Sequence, residues 1–304
     1  MYKKQLPSCT HSFTHWHFLL IILALLPFRL LQAAPQDYFI SAETVASNLK
    51  HYLLIDAREY STYLKGHIPG ARSVQWQSLS DMNGKAGSET WGTVLNNQAL
   101  EYQIQKHGLD STDNIVVYAD AHQGWGEDGR IAWSLRVAGL KNVRILDGGY
   151  TLWKSKGLKT TIIPTLFNIR SDYQITLRDT SSTIHTKAFY RDYAQFRVID
   201  SRSPEEYLGK MDLGEYRKGH LPGAVNLPFQ QLLTPGGVLK SFDEISQMLS
   251  DLDIHKTSPI VVYCTAGIRS AYWVMVLKAA GYTNVRNYTP SFYHWAALSY
   301  TPIE

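Results

Sequence analysis

The segment PIVVYCTAGIRSAYW, residues 259–273, delivers one cysteine, Cys264, from a run of apolar, β-branched residues into a short loop ahead of a second apolar run. The residues around it suit a sulfur anion. A loop that leaves a buried strand and enters a helix turns backbone N–H groups inward, and the start of the helix adds partial positive charge at the same place. Arg269 adds a full charge, and Gly267 lets the loop curl round the sulfur because it has no Cβ to intrude. A thiol so placed ionises below the ~8.5 of a free cysteine and becomes a nucleophile. The competing expectation for a cysteine at the end of a buried strand is inert packing. Arg269, Gly267 and the strand–loop–helix junction occurring together favour the nucleophile.

The elements that must position this loop occur twice. LIDAREYSTYLKGHIPGARSVQW from Leu54 answers VIDSRSPEEYLGKMDLGEYRKGHLPGAVNLPF from Val198, and the segment from Asn114 answers the one from Pro259. A repeat of this length is a duplicated domain. The halves span 36–158 and 184–304, joined by a polar linker at 159–183. In each, a short strand ends in Asp-x-Arg, a Gly-His-x-Pro-Gly-Ala turn follows, and the strand Ile-Val-Val-Tyr comes later. That strand is apolar on consecutive residues, as one buried on both faces must be. A helix stopped by Gly139 or Gly281 and a further short strand complete the unit. Strands alternating with helices of this length predict an α/β domain with a mostly parallel sheet flanked by helices. Ligands bind at the carboxyl ends of such strands, where Cys264 lies.

The first copy lacks the nucleophile. Aligning VVYAD with VVYCT puts Ala119 at the place of Cys264, and the loop that follows is longer and carries Glu127 and Asp128. Several other residues read as structural. Asp56 with Arg58 and Asp200 with Arg202 are expected to be ion pairs or loop anchors, because buried charge is paired. His67 and His220 precede Pro-Gly turns and are expected to bond backbone, with no metal-ligand spacing nearby. Trp153 and Trp295 are expected to pack each half, and Arg130 to start a helix facing the domain interface.

Beyond its first residues the chain resembles the two-domain rhodaneses, a family that includes thiosulfate and mercaptopyruvate sulfurtransferases. The resemblance is carried by CTAGIRS, by GHIPGA and GHLPGA, by the Asp-x-Arg strand ends, and by LDGGYTLW with its counterpart YTPSFYHW. It implies two tandem rhodanese-like domains, the second catalytic, with Cys264 holding a persulfide inside a loop of Thr265, Ala266, Gly267, Ile268, Arg269 and Ser270. It implies a small-molecule sulfur donor such as thiosulfate, and a thiol or cyanide as acceptor, with no metal and no organic cofactor. A protein that presents a persulfide to a protein acceptor is the alternative. Cysteine phosphatases and arsenate reductases are disfavoured because their loop is one residue longer than CTAGIR. The chain departs from the family twice. Glu206 stands where relatives carry an arginine that contacts an anionic donor, so it is expected at the pocket mouth as a determinant of donor choice. Thr289, Pro290 and Ser291 replace Asp-Gly-Ser and are expected to reshape the pocket wall.

Composition excludes other classes. Of 304 residues, 44% are hydrophobic and 18% charged, which is the balance of a folded protein. The net charge of +4 owes three basic residues to the first 34 positions, and the remainder carries 27 basic against 26 acidic side chains. Nothing in that balance calls for nucleic acid. Lys3 and Lys4, the apolar stretch Phe18–Leu26 and the small residues Ala33 and Ala34 follow the order of a secretory signal peptide over 1–34. Export, to a bacterial periplasm, is therefore expected, with an uncleaved membrane anchor as the alternative. Removal of the segment would take Cys9 with it and leave Cys264 as the single cysteine.

Overall fold

The computed structural model describes residues 1–2, 37–167, 170–211 and 213–304, so the expected signal segment lies essentially outside the described residues. No described helix is long and apolar enough to cross a membrane. The described residues from 37 onward belong to one compact unit that contains both repeats.

In the first repeat the strands are β1 (Phe39–Ile40), β2 (Leu53–Asp56), β3 (Arg72–Ser73), β4 (Ile115–Tyr118) and β5 (Val143–Leu146). They form a five-stranded sheet ordered β1-β5-β4-β2-β3, with every pairing parallel. The second repeat has β6 (Thr183–Ile184), β7 (Arg197–Asp200), β8 (Val225–Asn226), β9 (Ile260–Tyr263) and β10 (Val285–Tyr288) in the same parallel order, β6-β10-β9-β7-β8. The two Ile-Val-Val-Tyr segments are β4 and β9, each central and buried along its whole length. β-Branched side chains pack well on such two-sided strands, and burial on both faces explains the absence of alternation.

The helices of the first repeat are α1 (Ala42–Ser47), α2 (Tyr60–Lys65), α3 (Asn97–Lys106), α4 (Glu127–Val137) and α5 (Gly149–Ser155). Those of the second are α6 (Thr186–Arg191), α7 (Pro204–Tyr207), α8 (Phe242–Ser250), α9 (Arg269–Ala279) and α10 (Ser291–Ala297). One hydrophobic core runs through both repeats and includes α4 and α9, while a separate cluster covers the far face of each sheet. α4 and α9 meet face to face, and both are buried over nearly all their length. Gly129 permits that contact: a Cβ there would stand 2.6 Å from the Tyr272 Cα. Two helices buried on nearly every side thus pack against each other, which makes the repeats a single folded body.

The linker is less free than its polar composition suggests. The Tyr173 hydroxyl donates to the Ala138 carbonyl (2.7 Å), the Asp179 N–H donates to the Val137 carbonyl (2.8 Å), and the Ser171 hydroxyl donates to the Leu109 carbonyl (2.6 Å). It therefore lies along the first repeat.

The residues read as structural sit accordingly. Arg58 pairs with Asp56 and Arg202 with Asp200 through two nitrogens each, with Arg58 lying 3.8 Å over the Tyr150 ring and Arg202 3.9 Å over the Phe292 ring. His67 Nδ1 bonds the Tyr63 carbonyl and His220 Nδ1 the Tyr207 carbonyl. Trp153 and Trp295 are buried, and each donates its indole N–H to a backbone carbonyl, of Lys159 and Pro302.

Candidate active site

β9 ends at Tyr263, and the next residue, Cys264, begins the loop that enters α9. Gly267 has φ +78°, and a Cβ there would lie 2.7 Å from the Thr289 carbonyl oxygen and 3.0 Å from Arg130 Nη1. Only glycine closes the loop at this point. So closed, the Gly267 N–H donates to Cys264 Sγ (3.1 Å), and the Ser270 hydroxyl lies 3.6 Å from the same sulfur. Ser270 Oγ also lies 2.7 Å from Asn287 Oδ1, and Asn287 Nδ2 donates to the Gly267 carbonyl (3.1 Å). Burial pushes the Cys264 thiol up, but the Arg269 charge, the Ser270 amide and hydroxyl and the Ala266 amide outweigh it and hold the thiol below its ordinary value. The cradle favours the thiolate.

The loop is held from below by α10. The N–H groups of Phe292 and Tyr293 donate to the carbonyls of Cys264 and Thr265 (3.0 and 3.1 Å), and the Ser291 hydroxyl accepts from the Cys264 N–H at 3.3 Å. Ser291 adopts φ +52°, as Gly149 does (+57°) at the matching start of α5. A serine in the left-handed region is strained. Here it supplies the hydroxyl that a glycine lacks, but Ser291 is the residue that Thr289-Pro290-Ser291 shares with Asp-Gly-Ser, and none of the three lines the cleft over Cys264, so they do not form the pocket wall expected of them.

Glu206 does not stand at the mouth. It is 2% exposed and lies beneath the loop, where Arg269 grips it through both nitrogens (2.6 and 2.7 Å) and the Thr265 hydroxyl donates to it (2.8 Å). A capping box orients it: Ser203 Oγ accepts from the Glu206 N–H, and the Glu206 carboxylate accepts from the Ser203 N–H. Burial pushes the Glu206 carboxyl up, yet the hydrogen bond and charge of Arg269, with the Ser203 N–H and Thr265 hydroxyl, bring it down to about 2. Glu206 therefore bears on the site by matching the charge of Arg269. The guanidinium also lies over the Trp125 ring, whose centroid is 4.7 Å away.

The first repeat reaches the loop through a residue that the sequence places only at an interface. Arg130 on α4 is fully buried and donates to the Gly267 carbonyl (3.0 Å), to Ser80 Oγ (3.0 Å) and to the Gly92 carbonyl (2.5 Å). Burial lowers its guanidinium to about 10, opposed by the charge of the Cys264 sulfur. Arg130 thus clamps the back of the loop. The position equivalent to Cys264 is Ala119, one residue beyond β4, which offers no sulfur although its carbonyl accepts the Tyr150 N–H (2.9 Å) as the Cys264 carbonyl accepts that of Phe292.

A cleft of about 260 Å³ opens over the sulfur, which forms its floor at 1% exposure. Thr265, Ala266, Ile268 and Arg269 line its base, and Tyr293 and Leu213 one wall. The first repeat contributes Glu59, Trp76, Trp91, Trp125 and Glu127 to the lining. Among the described residues no group of three or more histidine, cysteine, aspartate or glutamate side chains is arranged to hold a metal ion.

The chain matches the model of the rhodanese-like domain twice, over residues 41–156 and 186–298. It is 29% identical over 259 residues to the sulfur carrier protein TtuD of Thermus thermophilus, covering 79% of this chain and 86% of that protein. It is 27% identical over 279 residues to a thiosulfate sulfurtransferase of Corynebacterium glutamicum, covering 88% of each. Among solved structures, wild-type EanB superposes with a TM-score of 0.79 at 19% identity, over 88% of this chain and 69% of that one. YnjE does so with a TM-score of 0.73 at 21% identity, over 89% and 67%. These two show the shared fold. With a duplicated parallel sheet, a strand-end cysteine in a glycine-closed loop and a family match across both copies, the chain belongs to the rhodanese-like family as a tandem sulfurtransferase.

Proposed function

We propose that Cys264 carries the sulfur as a persulfide, taking it from a sulfane donor such as thiosulfate and passing it to a thiophilic acceptor, a thiol or cyanide. The observation that carries this reading is the Gly267 N–H directed at Cys264 Sγ (3.1 Å) on the floor of the cleft. In the first step the Cys264 thiolate attacks the outer sulfur of thiosulfate. A new S–S bond forms, the donor's S–S bond breaks, and its electron pair leaves with sulfite. The persulfide's terminal sulfur is anionic and lies at the start of α9, near Arg269 and the loop amides. In the second step the acceptor attacks that sulfur, and the Cys264 thiolate departs. Arg130 and Asn287 hold the Gly267 carbonyl, which keeps the Gly267 amide pointed at the sulfur throughout.

Mature protein exposed to a competent donor should gain one sulfur, about 32 Da by intact mass, and Cys264→Ser should gain none. Sulfur loading that persists in Cys264→Ser would overturn the assignment. A persulfide handed to a protein acceptor is the second reading, favoured by the 29% identity to a sulfur carrier. It predicts loading without turnover on any small acceptor. The lysines, apolar stretch and small residues at the amino terminus support export, which amino-terminal sequencing of the protein from an extracytoplasmic fraction tests.

A further inference from the structure

The walls of the cleft carry aromatic rings and carboxylates. Trp76, Trp91 and Trp125 face it from the first repeat and Tyr293 from the second, with Trp91 and Tyr293 meeting edge to face at 5.4 Å. Glu59 and Glu127 add carboxylates to the same lining. Among the described residues that line it, the one cation is Arg269, and Glu206 matches that charge through a two-point ion pair. Burial pushes the Tyr293 phenol up, and the charges of Glu215, Cys264 and Glu206 push it the same way against Arg269. Once Cys264 holds a persulfide, a further negative charge sits on the floor.

On the sulfur-transfer reading above, we infer that the acceptor is a small aminothiol, whose ammonium is held by the carboxylates of Glu59 and Glu127 beside the tryptophan rings that line the cleft. Aromatic faces attract an ammonium through their quadrupole, and carboxylates at the rim add Coulombic attraction that an anionic thiol of the same size would meet as repulsion. The step balances without a further reactant. The acceptor thiolate attacks the terminal sulfur of the Cys264 persulfide, a new S–S bond forms on the acceptor, and the old S–S bond breaks with its electron pair returning to Cys264. The product is an aminothiol persulfide, with its ammonium untouched.

The test uses the full chain loaded with sulfur and checked by intact mass, followed by single-turnover unloading. The acceptors are 2-aminoethanethiol, 2-mercaptoethanol and 2-mercaptoethanesulfonate, compared at equal thiolate concentration. The cationic thiol should unload the protein about tenfold faster than the anionic one, with the neutral thiol between them and the ratio falling as salt is raised. Glu59→Gln with Glu127→Gln should bring the ratio to within about twofold. Because Glu127 also accepts the Trp125 N–H, Glu59→Gln alone, at an exposed position, serves as the second variant and should reduce the ratio by about twofold or more. Failure to load sulfur would overturn the persulfide reading itself. Normal loading followed by equal rates, by preference for the sulfonate, or by an unchanged ratio in Glu59→Gln would overturn the aminothiol inference alone.

Discussion

Replacing Glu206 by glutamine probes the ion pair on which the loop rests. The change keeps shape and removes one charge, leaving the Arg269 guanidinium buried at 3% exposure without its carboxylate. Two independent routes give the size of the effect. The Glu206 carboxyl lies at about 2 in the folded protein against an ordinary 4.5, and by linkage this depression is worth up to about 3 kcal/mol. Breaking a buried pair by removing one partner costs about 3–5 kcal/mol. Both place the loss near 3 kcal/mol. The sign with pH follows from the depression: the contribution is fully present above pH ~4.5 and is lost as pH falls through about 2. Urea unfolding of wild type and Glu206→Gln should therefore show the variant's midpoint lowered at neutral pH with an unchanged slope, and the gap should narrow below pH ~4.5. At the same time Arg269, no longer matched, should act more strongly on Cys264. Alkylation by an uncharged reagent should then inflect at lower pH in the variant. An unchanged midpoint would show that Glu206 does not hold the loop, and an inflection moved upward would refute the account of Arg269. Glu206→Arg, which the sequence alone recommends for recruiting anionic donors, would oppose two guanidiniums in a buried site and should unfold the protein.

Other substitutions address the remaining parts of the cradle. Wild-type Cys264 should alkylate with an inflection below that of an ordinary thiol, and Ser270→Ala should move it upward, since the hydroxyl helps hold the thiol down. Gly267→Ala should abolish sulfur loading and destabilise by about 1–3 kcal/mol, because φ +78° is left-handed and the added Cβ meets the Thr289 carbonyl at 2.7 Å. Urea unfolding and intact mass read the two effects. Arg130→Met, in the repeat that lacks a cysteine, should slow sulfur loading and raise the alkylation inflection; loading at the wild-type rate would show that the first repeat does not support the loop.

The architecture was legible in the sequence because its determinants are local. A four-residue β-branched run reports a strand buried on both faces, and a glycine after an apolar helix reports its end. The duplication made each reading twice, and the Cys264 loop followed because Gly267 and Ser270 act on a sulfur three and six residues away. The Asp-x-Arg pairs close over two residues and were readable for the same reason.

What tertiary structure alone decided are partnerships between residues distant in the chain. Glu206 meets Arg269 across 63 residues, and alignment offered only the place an arginine occupies in relatives, with no information on what a carboxylate there would bond. Arg130 reaches the Gly267 carbonyl across 137 residues, because α4 and α9 pack against each other through Gly129. Ser291 left one weak signal, its alignment with a glycine at the start of α5, and its hydroxyl became meaningful only once the backbone was seen to adopt φ +52° there. Trp76, Trp91 and Trp125 carried no signal in the sequence, yet they line the cleft over Cys264. Local dihedral preference and apolar pattern are written residue by residue, whereas charge matching and cleft walls depend on which surfaces are buried together, and that is settled only when two repeats fold onto one core.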